Sequence, residues 1–543
     1  MTSSLPEIQE MLKLGQTAEA EKNLVKSLKS NPNQPDAWRT LASIQIFVKV
    51  DFNSALESLT KAMALNPSDA ETYYLMGCIS QQMSQYDDSI ELFGIGLQFA
   101  PTHTEMLSAL GMSHLYKRHF NEAKYYVFKA LSFDPENLNA FLNTLNIAEL
   151  LPLSETEKTQ LLGAIDKNRD KKIFSDSIFL FEARDHLNSK NLDAARECLD
   201  KVKATSEQMG AMKNFLYGDL MRKLGDHEKA FSYYREANAL QAKSKEGKKF
   251  KLDTINQLID TTRTLLSSDF ITRLEETLEK TKTTPCLYPT PVFLIGFPRS
   301  GTTLTGKILN SHSKLFTADE YGAIDQIKIH MQQKFGLNLP KYLDKLTPDH
   351  ITFMRDLYNE KQAGLPMTHK DKIFIDKMPL NTLHVPIIHA IFPDAKFLYV
   401  QRHPLDSTLS SFMQHFVLNS AMIHFLDLEN AARLYKKTYN LWKFEKEKLP
   451  IKFYEFKYEN MVNNFDEEIG KILDFVGVEW DDNVREFYKH DDSGPTSLSP
   501  SRTQISSDLY KEPQGRWKKY KSHLKRVIQI LEPVINESGY SID

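Results

Sequence analysis

Prolines recur through the first part of this 543-residue chain at Pro32, Pro67, Pro101 and Pro135, in steps of 35, 34 and 34 residues. Six residues after each stands a large apolar side chain: Trp38, Tyr73, Leu107 and Phe141. Twelve residues before each stands a small one: Ala20, Ala55, Ser89 and Ala123. Eight before come Leu24, Leu59, Phe93 and Val127, and five before come Ser27, Ala62, Gly96 and Ala130. A fixed period of this length predicts one supersecondary unit used repeatedly. Proline stops a helix, so each period reads as two helices with the break where the next period begins. Small residues on one helix facing large ones on the other let the two axes approach. One such hairpin cannot bury its apolar face, so the hairpins have to stack. Residues 1–150 are therefore expected to be an all-α array.

The pattern resembles tetratricopeptide repeats, helical hairpins that stack into a solenoid. The resemblance implies a concave face able to take a protein or peptide partner. Beyond about Leu151 the pattern weakens without stopping. Ala195 and Ala230 stand one repeat apart, in "NLDAARECLDKVK" and "DHEKAFSYYREANAL". Residues 151–284 read as a further helical, repeat-like segment. The stretch "TKTTPCLYPTP" then reads as a linker, because its prolines cannot continue a helix.

Composition narrows the function. A net charge of −3 provides no global field toward nucleic acid or anionic membrane. The three cysteines, Cys78, Cys198 and Cys286, form no CxxC pair, which argues against a disulfide framework or a zinc site. The opening "MTSSLPEIQEMLKLGQ" has no apolar signal core, and no stretch approaches the length of a membrane span. The expectation is a cytoplasmic protein without a membrane span and without nucleic acid as a partner.

From Pro291 the texture changes. Short apolar runs, "VFLIG", "KIFID", "KFLYV" and "KFYEF", alternate with helical segments, which predicts a parallel sheet covered on both faces. Ligands of such sheets bind at the carboxyl ends of the strands. The first run leads into "FPRSGTTL", with Gly296 and Gly301 at the spacing of a P-loop. Thr302 stands where that loop has its lysine, and Arg299 lies inside the loop. Backbone N–H groups at the start of the following helix favour an anion. Ser300, Thr302 and Thr303 add hydroxyl donors, and Arg299 adds a planar charged fork. A triphosphatase uses the missing lysine together with Mg2+. A loop without it suits a 5′-phosphosulfate, and no metal is expected. Asp376 is the one candidate for a cation ligand, and Lys377 beside it opposes one.

"FLIGFPRSGTTL" resembles the 5′-phosphosulfate loop of sulfotransferases that use 3′-phosphoadenosine-5′-phosphosulfate (PAPS). "YVQRHPLDSTLSSFMQHF" is similar to that superfamily's second element, an arginine at a strand end followed eight residues on by a serine, here Arg402 and Ser410. The resemblance implies that these two hold the 3′-phosphate, and that Arg299, Ser300, Gly301, Thr302 and Thr303 hold the 5′-phosphosulfate. It points further to the tyrosylprotein type, whose base is a glutamate about twenty residues after the loop arginine. Glu320 stands there, with Asp319 beside it as a competing base. Lys377 in "IDKMPLN" matches the catalytic lysine, and Tyr458 in "FYEFKYENMV" matches a tyrosine near the adenine. Ser501, Lys511 and the run Gly515 to Trp517 match the segment that closes over the cosubstrate. The chain departs from the family at Ser506 and Ser507, where a basic residue is common, and in reading "ADEYG" around the glutamate. His312 reads as a structural cap at a helix end.

The expected architecture is α + α/β: a repeat solenoid followed, over 288–543, by a P-loop-like sulfotransferase domain with a parallel central sheet. The expected reaction moves a sulfuryl group from PAPS to an acceptor hydroxyl, on peptide tyrosine, a sugar or a small molecule, and releases 3′,5′-ADP. Glu320, Lys377 and Arg299 are its catalytic candidates. Two competing classes stand beside it. One is a phosphotransferase on the same loop, which lacks the loop lysine. The other is an inert, nucleotide-binding interaction scaffold, from which the site residues would be expected to have been lost.

Overall fold

The computed structural model describes residues 4–83, 85–117, 119–280, 289–363, 371–489 and 514–542. The chain divides into two compact units, Met1–Phe181 and Glu182–Asp543.

In the first unit the helices Thr17–Ser30, Phe52–Leu65, Tyr86–Phe99 and Phe120–Phe133 each stop two residues before one of the periodic prolines. The next helices begin at Pro35, Ala70, Thr104 and Leu138, three residues after those prolines. The aromatic residue of the period secures two of these corners. The Trp38 indole N–H donates to the Pro32 carbonyl at 2.8 Å, and the Tyr73 hydroxyl donates to the Pro67 carbonyl at 3.0 Å. Asp69, His103 and Asn137 accept from backbone N–H groups of the first turn and cap the helices that follow. The small residues Ala20, Ala55, Ser89 and Ala123 are fully buried. The single 35-residue step also has a physical cause. Helix Pro35–Ile44 runs into a π turn, Gln45–Lys49, which ends at Val50 with φ 56°. A π turn is how a helix absorbs one inserted residue.

Sequence reading did not include Gly77 and Gly111. A Cβ at Gly77 would lie 2.4 Å from the Phe93 ring, and one at Gly111 would lie 2.7 Å from Val127. The same offset recurs in the second unit, where a Cβ at Gly218 would lie 2.5 Å from the ring of Tyr234. There helices α1 (Glu207–Lys223) and α2 (His227–Lys243) form an antiparallel hairpin of the same design.

The second unit holds a five-stranded, all-parallel sheet: β1 (Val292–Gly296), β2 (Leu315–Asp319), β3 (Ile373–Lys377), β4 (Lys396–Gln401) and β5 (Lys452–Lys457). Its order is β2-β3-β1-β4-β5. Four of these strands match the four apolar runs. β2, "LFTAD", was not among them. Alternate residues feed two separate cores: Phe293 and Ile295 pack on one face, Val292 and Leu294 on the other. Phe270, Leu274 and Leu278 of helix Ser268–Glu279 belong to the first of these cores. The chain leaves β1 toward β2 on one side and later crosses to β4 on the other. The crevice between β1 and β4 is therefore the switch point where such sheets bind ligands. Helix α3 (Thr302–Asn310) follows β1, α4 (Pro404–Phe412) follows β4, and α5 (Tyr458–Asn463) follows β5. Among the described residues no helix is long and apolar enough to cross a membrane.

Candidate active site

Because every strand runs the same way, the five carboxyl ends meet at one edge, and each delivers at least one candidate residue. Arg299 to Thr303 follow β1, Glu320 follows β2, Lys377 ends β3, Arg402 follows β4 and Tyr458 follows β5.

The loop after β1 is tied down from both sides. Thr382 donates to the Gly296 carbonyl at 3.1 Å, and Ser411 donates to the Pro298 carbonyl at 3.4 Å. Arg299 is held at φ 67°, a left-handed conformation unusual for a side chain other than glycine. Gly301, at φ 110°, has the Tyr458 ring so close that a Cβ would lie 2.4 Å from it. Glycine is required there on both counts. Ser300 is buried, and its Oγ has no hydrogen-bond partner among the described residues.

Charge gathers around this loop. The Arg299 Nε–H donates to Ser410 Oγ at 3.1 Å. Arg402 is buried, donates to the Arg299 carbonyl at 3.0 Å and lies 5.1 Å over the Tyr458 ring. Arg516 acts on the same group. Burial, and then the charges of Arg402 and Arg516, push the Arg299 guanidinium down to about 9. Arg299 and Ser410, foreseen as separate elements, thus touch. Ser410 lies in the second turn of α4, where Arg299 reaches it.

On the other side of β1, Asp319 and Lys377 pair across neighbouring strands. Lys377 is 1% exposed and forms an ion pair with Asp319, whose side chain is 6% exposed. Lys377 Nζ also lies 3.5 Å from Thr303 Oγ1 and 3.8 Å from Glu320 Oε1. The Glu320 side chain is 37% exposed, and its backbone, at φ 48°, turns away from the strand. Of the two neighbouring carboxylates, Asp319 is the inner partner of Lys377 and Glu320 is the one open to an incoming molecule.

Asp376 is fully buried and accepts from the Tyr358 hydroxyl at 2.9 Å. It therefore sits inside the sheet's core. His312 lies just beyond α3, accepts from the Lys314 N–H and reaches the Glu479 carbonyl at 2.9 Å, the structural role expected of it. The stretch 316–346 contains the rest of β2 and helix Ala323–Phe335.

The run Gly515 to Trp517 is anchored by a residue that sequence reading missed. Asp406, in the first turn of α4, accepts from the Gly515 N–H at 2.7 Å and from the Trp517 N–H at 2.9 Å. Trp517 stacks on His403 at 5.2 Å. This clamp brings Arg516 to the loop. Its signal in the sequence was an aspartate four residues after Arg402, indistinguishable there from a helix-start carboxylate. Ser501 and Lys511 lie outside the described residues.

A parallel α/β domain with a glycine loop, arginines and hydroxyls at its switch point has the donor set that suits an anionic ligand. Residues 291–482 match the model of the sulfotransferase family, and residues 214–244 match the tetratricopeptide repeat. The chain thus carries a sulfotransferase-family domain and tetratricopeptide repeats. It is 26% identical over 343 residues to an uncharacterized protein of Aquifex aeolicus, a match covering 62% of this chain and 43% of the relative. It is 30% identical over 114 residues to the BBSome complex member BBS4 of Bos taurus, covering 21% of this chain and 22% of the relative. The chain therefore spans less than half the length of these relatives. Among solved structures, it is similar to the sulfotransferase domain from the Synechococcus PCC 7002 olefin synthase. That match has 19% identity and a TM-score of 0.33, and covers 48% of this chain and 98% of that one.

Proposed function

We propose that this sulfotransferase-family chain transfers a sulfuryl group from PAPS to an acceptor hydroxyl and releases 3′,5′-ADP, and that it works in the cytoplasm. The observation that supports this most is the convergence of Arg299, Arg402 and Arg516 on a loop whose buried Ser300 hydroxyl has no partner among the described residues. Like charges crowded into a partly buried site are costly unless an anion joins them. The donor set fits a ligand with several phosphate-type groups. When bound, PAPS supplies a sulfuryl group on a phosphate leaving group.

The chain's own residues divide the work. The hydroxyls and N–H groups from Ser300 to Thr303 hold the 5′ end. Arg402 and Ser410 hold the 3′-phosphate, and Tyr458 walls the pocket beside Gly301. Ser501 and Lys511 join this set on resemblance alone. Arg299 and Lys377 offset negative charge as it develops at the leaving oxygen. Glu320 takes the acceptor's proton at its exposed carboxylate. Asp319 pairs with Lys377 and holds it in place. A carboxylate base suits a phenol, the more acidic kind of hydroxyl, so a tyrosine in a peptide is the acceptor to test first.

Calorimetry with 3′,5′-ADP tests the reading. Wild type is expected to bind in the micromolar range without added metal. Arg402→Ala is expected to bind at least tenfold more weakly, since a charge-assisted phosphate contact contributes about 1.5–3 kcal/mol. Binding of ATP with Mg2+ in place of 3′,5′-ADP would refute it.

A further inference from the structure

The repeat hairpin α1–α2 lies outside the matched sulfotransferase segment, yet it is built into the same compact unit. Its contacts fall on the end of α4, the helix that follows Arg402, and on the segment that begins at Arg516. Asn238 donates to the Phe412 carbonyl at 2.8 Å, at the end of α4, and Gln241 donates to the Phe416 carbonyl at 2.8 Å. Phe231 stacks on Phe412 at 5.6 Å and on His523 at 3.9 Å. His227 meets the Tyr520 hydroxyl at 3.3 Å, one helical turn beyond Arg516. Glu228 bonds His523 at 2.8 Å. The hairpin thus braces both α4, which bears Ser410, and the segment Arg516–His523.

One charged group of the hairpin reaches further. Asp219 accepts from the Tyr234 hydroxyl at 2.9 Å and from Arg222 at 3.1 Å, which fixes its carboxylate. Its side chain keeps 40% exposure, so it is not a sealed core group. Its negative charge acts on Arg299, opposing the effect of Arg402 and Arg516. It also acts on Tyr520, again alongside Arg516.

We propose that the repeat hairpin is a working wall of the transfer site, and that Asp219 is a positioning residue that sets how tightly the arginine cluster grips its anion. With the site free, Asp219 offsets part of the repulsion among Arg299, Arg402 and Arg516. With a polyanion present, the same carboxylate opposes it. The free state gains and the bound state loses, so the grip on the spent cosubstrate is loosened and release is favoured. This rests on reading the arginine cluster as an anion site, and it gives the repeats a role in turnover that a detached scaffold would not have.

The test uses the full-length chain and two probes, 3′,5′-ADP and inorganic pyrophosphate, by calorimetry at low and moderate salt. Asp219→Asn is expected to bind the probe more tightly, on the order of three- to tenfold, as removal of one screened like charge implies, with the gain shrinking as salt rises. Its unliganded melting temperature is expected to fall. Asp219→Glu, which keeps the charge, is expected to restore wild-type affinity. A merely structural aspartate would give weaker binding or none, in a salt-independent way. Unchanged or weaker binding by a folded Asp219→Asn, while wild type binds 3′,5′-ADP, would overturn the role of Asp219 and leave the cosubstrate reading intact. Binding of pyrophosphate alone, tightened by Asp219→Asn, would support Asp219 and overturn PAPS. Binding of neither probe would overturn both.

Discussion

Replacing Lys377 by methionine separates what this residue does for the fold from what it does for the reaction. The Lys377 side chain is 1% exposed and that of its partner Asp319 is 6% exposed, so the pair is shielded from water. Removing one member of a buried pair leaves the other charge uncompensated, at a cost of about 3–5 kcal/mol. For a unit of this size, at about 2–3 °C per kcal/mol, the melting transition of Lys377→Met should drop by roughly 6–15 °C. Fluorescence reports it directly, because Trp442, Trp480 and Trp517 lie in the second unit and only Trp38 lies in the first. The double variant Lys377→Met/Asp319→Asn removes both charges and should recover most of the loss, since the two effects are strongly coupled. On the proposed mechanism neither variant should regain sulfuryl transfer from labelled PAPS, because both lack the cation assigned to the leaving oxygen. A Lys377→Met protein melting within about 1 °C of wild type would refute the argument, since a partner that costs so little to remove is solvated, whatever its geometry.

Two further outcomes follow from particular side chains. Glu320→Gln should lose about 10²- to 10⁴-fold in kcat, the range typical of a positioned general base, while calorimetry finds 3′,5′-ADP binding unchanged. Full turnover would move the base elsewhere. Glu445, on helix Leu428–Lys448, is fully buried, neither carboxyl oxygen has a partner among the described residues, and burial alone holds its carboxyl well above the usual carboxylate range. The folded chain therefore keeps a proton that the unfolded chain gives up. This contribution to stability is present below the ordinary carboxylate value and is lost as pH rises through the folded one. Glu445→Met should flatten that slope and raise stability at pH 8 by about 1–3 kcal/mol, read as the difference between urea midpoints at pH 5 and pH 8.

Much of this was legible because local rules agreed with the global fold. The proline period marks helix ends that the structure places two residues before each proline, because an N–H-less residue forces the break whatever surrounds it. β1, β3, β4 and β5 were visible as apolar runs bounded by turns. β2 escaped because "LFTAD" is short and ends in the polar Asp319, and its strand character comes from pairing with β3. The loop residues Arg299 to Thr303 are contiguous and announce themselves. Contacts made across long stretches of chain do not. Asp406 holding Gly515 and Trp517, Ser410 meeting Arg299, and the α1–α2 hairpin bracing α4 have no local pattern. The exposure of Glu320 beside the buried Asp319 likewise goes with a backbone twist at Glu320 that composition cannot encode.

The alternation of β1 between two cores has a consequence for fidelity. Val292 and Leu294 belong to one greasy layer, and Phe293 and Ile295 belong to the other. Sliding a strand by one residue would turn each side chain to the opposite layer. The same slip would swing Lys377 or Arg402 out of phase with the loop. Each layer is filled with different shapes and rejects the wrong set, so the packing acts as a ratchet with one permitted notch. The spacing of charges at the rim is thus proofread by hydrocarbon that never meets the ligand. A conservative change deep in either layer that loosens this notch would blur the site without touching any residue in it.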